Sequence, residues 1–421
     1  MKRNTIITLL FVCVVLSGLF WLSSQAYLHK QGLLETSYLT NWKDNVQHDN
    51  PYVNFAENLK IDIENITGNC MPFYEEVLVG DRNMNFAMDY RLYSVLFGHM
   101  DQWYVPIGKD DYDYKFVSGD MSTLINAYRI KEEVMYPNMC VTTDFFKNLK
   151  DSNPDVNLYV YACNVYDTSK LPDTSNLGIK GRYKYLETFG NALAESGIGY
   201  DSLKYENMDE YKNYFFKTDH HWSINGAYQG YKDVINMMSA KTPEIGAPRG
   251  GEPFKVEGVK FRGSIARISS FEKLTDEMWD VKVDLPPYNF TIAGNPEYAD
   301  YSKKEEYLAG QIENATFNNS YAEYFHTDTG NAEYDFGENT GRNLLVFVDY
   351  FSNCIDPYIA SHYDRTYIVD LRYDEYANGT FDYNKFIEEH NIDDVLFMMY
   401  SDTLVFDNNP GNYKTKINIG G

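Results

Sequence analysis

The sequence predicts an α/β fold built on a doubly wound parallel sheet, and three observations carry that prediction. Short, β-rich apolar runs recur at residues 157–166 (NLYVYACNVY), 343–348 (NLLVFV), 366–370 (TYIVD) and 394–399 (DVLFMM). Runs apolar at successive positions, rather than at every second one, read as strands buried on both faces. Helical patterns separate the later runs, at 356–361 and 384–389, which is the alternation that builds a parallel sheet. At 44% hydrophobic and 16% aromatic residues, the chain can bury a sizeable core.

Taken in order, the chain begins with residues 1–26, a basic stub and an apolar run. Residues 5–24 hold no charge and centre on ITLLFVCVVLSGLFWL. About 20 apolar residues suffice to cross a bilayer as a helix. Lys2 and Arg3 precede the run, which puts the N-terminus in the cytoplasm and the body outside, and Trp21 suits an interfacial anchor. The competing reading is a cleaved signal peptide ending near Ser23–Ala26; both readings export the body. Residues 27–80 read as a stalk and N-terminal cap, and 81–410 as the α/β domain. A β-rich insertion occupies about 240–340, and 411–421 form a tail.

Within the domain, spacing predicts helices over 122–135, 181–196 and 223–238, the last with Ser223 as N-cap. Gly119, Asp120, Met121 and Ser122 read as the cap of the first of these. The aromatic run 211–217 reads as strand-like. The segments KVEGVKFRGS and MWDVKVDLPPYNFTI give the insertion its strands, and polar residues 301–340 read as surface loops.

Charge and motifs exclude several function classes. With 61 acidic against 37 basic residues the chain carries −24, which disfavours DNA or RNA as a partner. Residues 1–30 hold Lys2, Arg3 and Lys30 and no acid, so a head of +3 precedes a body of −27. Such a body is repelled by polyanions, so a neutral glycan is the more comfortable ligand. No G-x-G-x-x-G or P-loop pattern occurs, and no cofactor is called for. Cys70, Cys140, Cys163 and Cys354 are widely spaced and match no metal-ligand pattern; two disulfides and four buried thiols remain open readings.

The segment Thr218-Asp219-His220-His221-Trp222 concentrates the chemistry. It lies just before a helix N-terminus, where a histidine tends to stay neutral and able to accept a proton. An aspartate two residues away can fix the imidazole tautomer and stabilise the imidazolium. Two other readings compete: a structural turn with a buried histidine, or a metal site on Asp219, His220 and His221. The second lacks further ligands at a recognisable spacing.

At this motif the sequence resembles the DHHW family of exported bacterial proteins, itself similar to the SGNH-hydrolase-like proteins of alginate O-acetylation. The resemblance rests on FFKTDHHWSINGAY and on the segment 343–373, which ends in DLRY. GHMDQWY at 98–104 and RGSIAR at 262–267 add weaker matches. It covers roughly residues 70–405. It implies an SGNH-hydrolase-like doubly wound sheet, with Asp219 orienting His221 and His221 as general base. His220 matches the variable middle position. It further implies O-acylation of a cell-surface polysaccharide at the outer side of the membrane, with a membrane-bound O-acyltransferase supplying the acyl group.

The family nucleophile is a serine in an Asp-Ser-aromatic elbow. Here the elbow reads Asp349-Tyr350-Phe351-Ser352, so Tyr350 occupies the nucleophile position. A phenol with a pKa near 10 is a poor acyl nucleophile without activation. Two outcomes stay open: Ser352 serves after a local rearrangement, or the protein is a non-catalytic glycan-binding or scaffold relative. His220, Trp222, Arg372 and Asp349 are the candidate substrate contacts.

Overall fold

A computed structural model describes residues 74–97, 104–109, 113–128, 132–163, 182–293, 320–325, 330–373, 376, 378–405 and 412–419. The expected anchor, the stalk up to residue 73, Cys70 and most of GHMDQWY lie outside the described residues. No helix among the described residues is long and apolar enough to cross a membrane.

In chain order the elements are α1 (Tyr74–Phe97), β1 (Tyr104–Lys109), β2 (Asp113–Ser118), β3 (Leu124–Tyr128), α2 (Glu132–Ser152), β4 (Asn157–Cys163), α3 (Arg182–Glu195), β5 (Gly199–Ser202), α4 (Met208–Tyr214) and α5 (Ile224–Ser239). Then follow β6 (Gly251–Phe261), α6 (Ser264–Ser269), β7 (Asp276–Val283), β8 (Asn289–Ile292), α7 (Ser320–Phe325), β9 (Asn331–Asp335) and β10 (Asn343–Val348). The last are α8 (Asp356–Ala360), β11 (Arg365–Val369), β12 (Phe381–Asp382), α9 (Tyr383–His390), β13 (Asp394–Tyr400), α10 (Ser401–Val405), α11 (Tyr413–Lys416) and β14 (Ile417–Asn418).

The main sheet has the order β5-β4-β13-β10-β11-β9-β8. The strands from β5 to β11 run parallel, as the apolar runs predict. Alternation explains why they are so uniformly apolar. In β4, Leu158, Val160 and Ala162 enter one core, while Tyr159, Tyr161 and Cys163 enter the other. Likewise Leu345 and Phe347 of β10 face one way, and Leu344, Val346 and Val348 the other. Both faces are covered, by Phe146, Leu149, Phe189 and Leu193 of α2 and α3 on one side. Ala227, Tyr231, Val234 and Ile235 of α5 cover the other. Two-sided burial with parallel pairing defines the doubly wound arrangement.

The sheet is mixed rather than wholly parallel. β8 and β9 come from the region expected as insertion and surface loops; β8 pairs antiparallel with β9, and β9 with β11. β6 and β7 form a separate antiparallel pair. β1, β2 and β3 make a third sheet, whose Val105, Val117 and Leu124 pack on Ile265, Ala266 and Phe271.

Two local expectations are corrected. Residues 124–128 form β3 instead of the start of a helix: Leu124 donates its N–H to Lys217 O at 2.7 Å, and the strand pairs with β2. Sheet pairing here overrides the helical spacing. Asp120 therefore caps no helix; it closes the β2–β3 turn by accepting from Ser118 Oγ and Ser122 Oγ, both at 2.6 Å. Residues 208–214, read in part as strand, are helix α4. Asn207 accepts from the N–H groups of Asp209 and Glu210, and Glu210 reaches back to the Glu206 N–H at 2.7 Å. That is a capping arrangement strong enough to set the helix start.

Residues 412–419 fold back onto the domain. Tyr413 packs against Phe145, Phe146 and Phe397, and β14 pairs with β12. Cys140, Cys163 and Cys354 are free thiols, the last two buried.

Candidate active site

The motif occupies a tight loop between α4 and α5. Its two ends meet: Ser223 donates N–H to Tyr214 O at 2.8 Å, and Phe216 to His221 O at 3.2 Å. Ser223 caps α5, as its position in the sequence predicts, by accepting from Gly226 N–H. Gly226 lets the loop close, since a Cβ there would fall 2.2 Å from Tyr214 O.

A second carboxylate holds the loop from behind. Asp276, at the start of β7, accepts from the N–H groups of Lys217 and Thr218 at 2.9 and 2.8 Å and from Thr218 Oγ1 at 2.5 Å. Thr218 Oγ1 in turn accepts from Gly263 N–H at 2.9 Å, and Thr218 O accepts from Ala266 N–H at 3.1 Å. Burial pushes the Asp276 carboxyl up to about 6 despite these bonds.

Asp219 lies at the centre. Its Oδ1 accepts from His221 Nδ1 at 2.5 Å and from His221 N–H at 3.0 Å; its Oδ2 accepts from Ser264 N–H at 2.6 Å. Burial alone would raise this carboxyl, but the adjoining imidazoles of His221 and His220 and these hydrogen bonds hold it well below the usual carboxylate range. The ionised carboxylate accepts a hydrogen bond from His221 Nδ1–H, which leaves Nε2 as the basic nitrogen. His221 is buried, and its Nε2 has no hydrogen-bond partner among the described residues. Its ring stacks on Tyr321 at 3.9 Å between centroids and 9° between planes. Such a stack is worth roughly 1 kcal/mol beyond burial and fixes the ring plane. Gly263 makes room for Asp219: a Cβ on it would lie 2.2 Å from Asp219 Cβ.

His220 lies beside the dyad, its ring 4.0 Å from that of His221. Its Nδ1 lies 2.6 Å from Ser264 Oγ and 3.4 Å from Asp219 Oδ1. Burial, then the neighbouring His221, lower its pKa, so its resting form is neutral. Asp219, His220 and His221 bring ligand-type atoms within 4.8 Å of one another. Both Asp219 oxygens and His220 Nδ1 are already engaged in the bonds above.

The elbow follows β10 at the carboxyl end of the sheet, where open α/β sheets place their ligands. Trp222 fastens the loop to it: the indole, 1% exposed, donates Nε1–H to Phe351 O at 2.8 Å. Tyr321 donates to the same oxygen at 3.1 Å. Trp222 thus joins the two halves of the site from within. Asp349 is also buried, accepting from Phe351 N–H at 3.0 Å and Tyr400 N–H at 2.8 Å. Burial, offset in part by Arg372, raises its carboxyl to about 6. Trp222 and Asp349 therefore support the elbow from behind it.

The elbow hydroxyls fare differently from one another. Ser352 is fully buried, and its Oγ donates to Asp349 O at 3.4 Å, turned into its own turn. Tyr350 stays half-buried and sets its ring edge-on to His221 at 5.1 Å and to His220 at 5.4 Å. Arg372 lies over the Tyr350 ring at 4.9 Å while gripping Asp370, with Nη2 at 2.5 Å from Oδ2 and Nε at 2.9 Å from Oδ1. The structure thus gathers Asp219, His220, His221, Tyr350 and Arg372 and turns Ser352 away. Gly263, Ser264, Asp276 and Tyr321 join the site without having been singled out by sequence. Ser264 and Gly263 sit inside RGSIAR, the segment that could have revealed them.

Fold and site together define an α/β protein with a buried Asp–His dyad beside the carboxyl ends of a parallel sheet. Among solved structures it is similar to a DHHW family protein from Eubacterium siraeum, with a TM-score of 0.50 and 15% identity over 74% of this chain and 97% of that one. The resemblance read from residues 219–222 is thus matched by a solved fold. The chain is also similar to PatB1 of Bacillus cereus, at a TM-score of 0.48 and 20% identity over 70% and 98% of the two chains. A third similar structure is the O-acetyltransferase domain of Pseudomonas putida AlgJ, at 0.40 and 12% over 68% and 91%. These are likenesses of fold. No family model matches the sequence, and neither does any curated protein.

Proposed function

We propose that this chain is an SGNH-like acyl-transfer protein acting in the O-acetylation of a polysaccharide. In this reading residues 5–24 hold the body at the outer face of the cell membrane, and a membrane-bound O-acyltransferase supplies the acyl group. The observation that carries it is the dyad: an ionised, fully bonded Asp219 behind His221, whose Nε2 keeps its lone pair unengaged among the described residues. Nε2 takes the proton of an attacking hydroxyl, and Asp219 stabilises the imidazolium that results. Acetyl-ester hydrolysis, and acetyl transfer to a neutral oligosaccharide, test this directly. Turnover lost in His221→Ala supports it; turnover untouched by that change sinks it.

A second reading has its own observation. Tyr350 fills the elbow position and Ser352 is fully buried with its Oγ on Asp349 O, which favours a non-catalytic glycan-binding relative. It predicts binding of a neutral polysaccharide without covalent labelling by a sulfonyl fluoride. Labelling of any serine in the site would rule it out.

A further inference from the structure

The acyl-transfer reading leaves open where the acyl group rests, and on that reading we propose that it rests on Ser264, with His220 as its base. Ser264 is half-buried, and its Oγ sits 2.6 Å from His220 Nδ1. Asp219 Oδ1 lies 3.4 Å from the same nitrogen, so an imidazolium formed there faces a carboxylate directly. The Ser264 N–H bond to Asp219 Oδ2 at 2.6 Å fixes the serine against the dyad. Gly263, which makes room for Asp219, permits this approach. The His220 and His221 rings are 4.0 Å apart, so one carboxylate backs two imidazoles. The elbow serine makes no such bond: His221 Nε2 has no partner among the described residues, and Ser352 Oγ is spent on Asp349 O.

The step balances with an acyl ester as donor. Ser264 Oγ bonds to the carbonyl carbon while its proton passes to His220 Nδ1. The bond from that carbon to the donor's alcohol oxygen breaks, and the alcohol leaves with the proton from Nδ1. An acceptor hydroxyl then attacks the Ser264 ester. Its proton, taken at His221 Nε2, is released to water, and the departing Ser264 Oγ recovers one through His220 Nδ1, 2.6 Å away.

The test incubates the purified chain with p-nitrophenyl acetate and, separately, with methanesulfonyl fluoride, and locates the adduct by peptide mass mapping. The expected adduct lies on Ser264, disappears in Ser264→Ala and persists in Ser352→Ala. Ester turnover falls at least about 100-fold in Ser264→Ala, and Ser264→Thr, which keeps a hydroxyl, retains part of it. Thermal melting of each variant reports folding, and the adduct's position on the native chain needs no variant at all. An adduct on Ser352 or Tyr350, or full turnover in Ser264→Ala alongside loss in His221→Ala, overturns Ser264 and leaves the acyl-transfer reading standing. A native chain with neither adduct nor turnover overturns both.

Discussion

The loop around Asp219 and the elbow after β10 are fastened together by Trp222 and Tyr321 at Phe351 O, yet they treat their polar groups in opposite ways. In the loop, hydrogen bonds and histidines hold Asp219 ionised, and His221 keeps a nitrogen unengaged among the described residues. In the elbow, burial drives Asp349 toward its neutral form, and the serine hydroxyl turns into the protein. The contrast teaches that acid–base capacity and elbow geometry are separable. The loop is built around its own network from Asp276, Thr218 and Gly263, and it stands complete beside an elbow that presents Tyr350.

The most disruptive way to break the contrast is Gly263→Ala. The new Cβ would fall 2.2 Å from Asp219 Cβ and 2.6 Å from its Cα, so the backbone must move. We expect acetyl-ester turnover to fall by about 100-fold or more, and stability by roughly 3 kcal/mol in denaturant melts. Next is Arg372→Ala on the elbow side. Arg372 and Asp370 are 14% and 3% exposed, so removing the guanidinium strips the buried carboxylate of its two-oxygen charge partner, at a cost of about 2 kcal/mol in denaturant melts.

The pH dependence of stability should separate the halves by sign. The folded-state pKa of Asp349 is raised from 3.8 to about 6, so its contribution to stability is full below 3.8 and is lost as pH rises through about 6. Asp276 behaves likewise. Asp219 is lowered, so its contribution holds above 3.8 and is lost as pH falls. In unfolding measured at pH 4 and pH 7, the wild type's margin over Asp349→Asn should shrink at the higher pH. Its margin over Asp219→Asn should hold between these values and shrink in unfolding measured at pH 3. Equal margins over Asp349→Asn at pH 4 and pH 7 would refute the contrast. The smallest expected effect is Tyr350→Phe, which removes a phenol the account does not use: turnover should stay within about twofold. Abolition of turnover would make Tyr350 the nucleophile.

The sequence revealed the parts of this molecule that local pattern determines. The β4, β10, β11 and β13 runs are legible because strands buried on both faces must be apolar throughout. α5 is legible through Ser223 and the spacing of Ala227, Tyr231 and Met238. The dyad is legible because Asp219 and His221 are two residues apart. What stayed hidden depends on distant chain. Tyr321 lies in a polar stretch read as surface loops, yet it is fully buried against His221. Asp276 acts on a loop 58 residues before it in sequence. β3 takes its conformation from β2 and Lys217 O. α4 alone was within reach, since Asn207 and Glu210 spell its cap.

The central claim is that His221, backed by Asp219, is the working base of an acyl-transfer site. Its most direct test is acetyl-ester turnover at pH 7 by the native chain and by His221→Ala of matched thermal stability. The account predicts a loss of about a thousandfold. Turnover within about twofold of the native chain would contradict it.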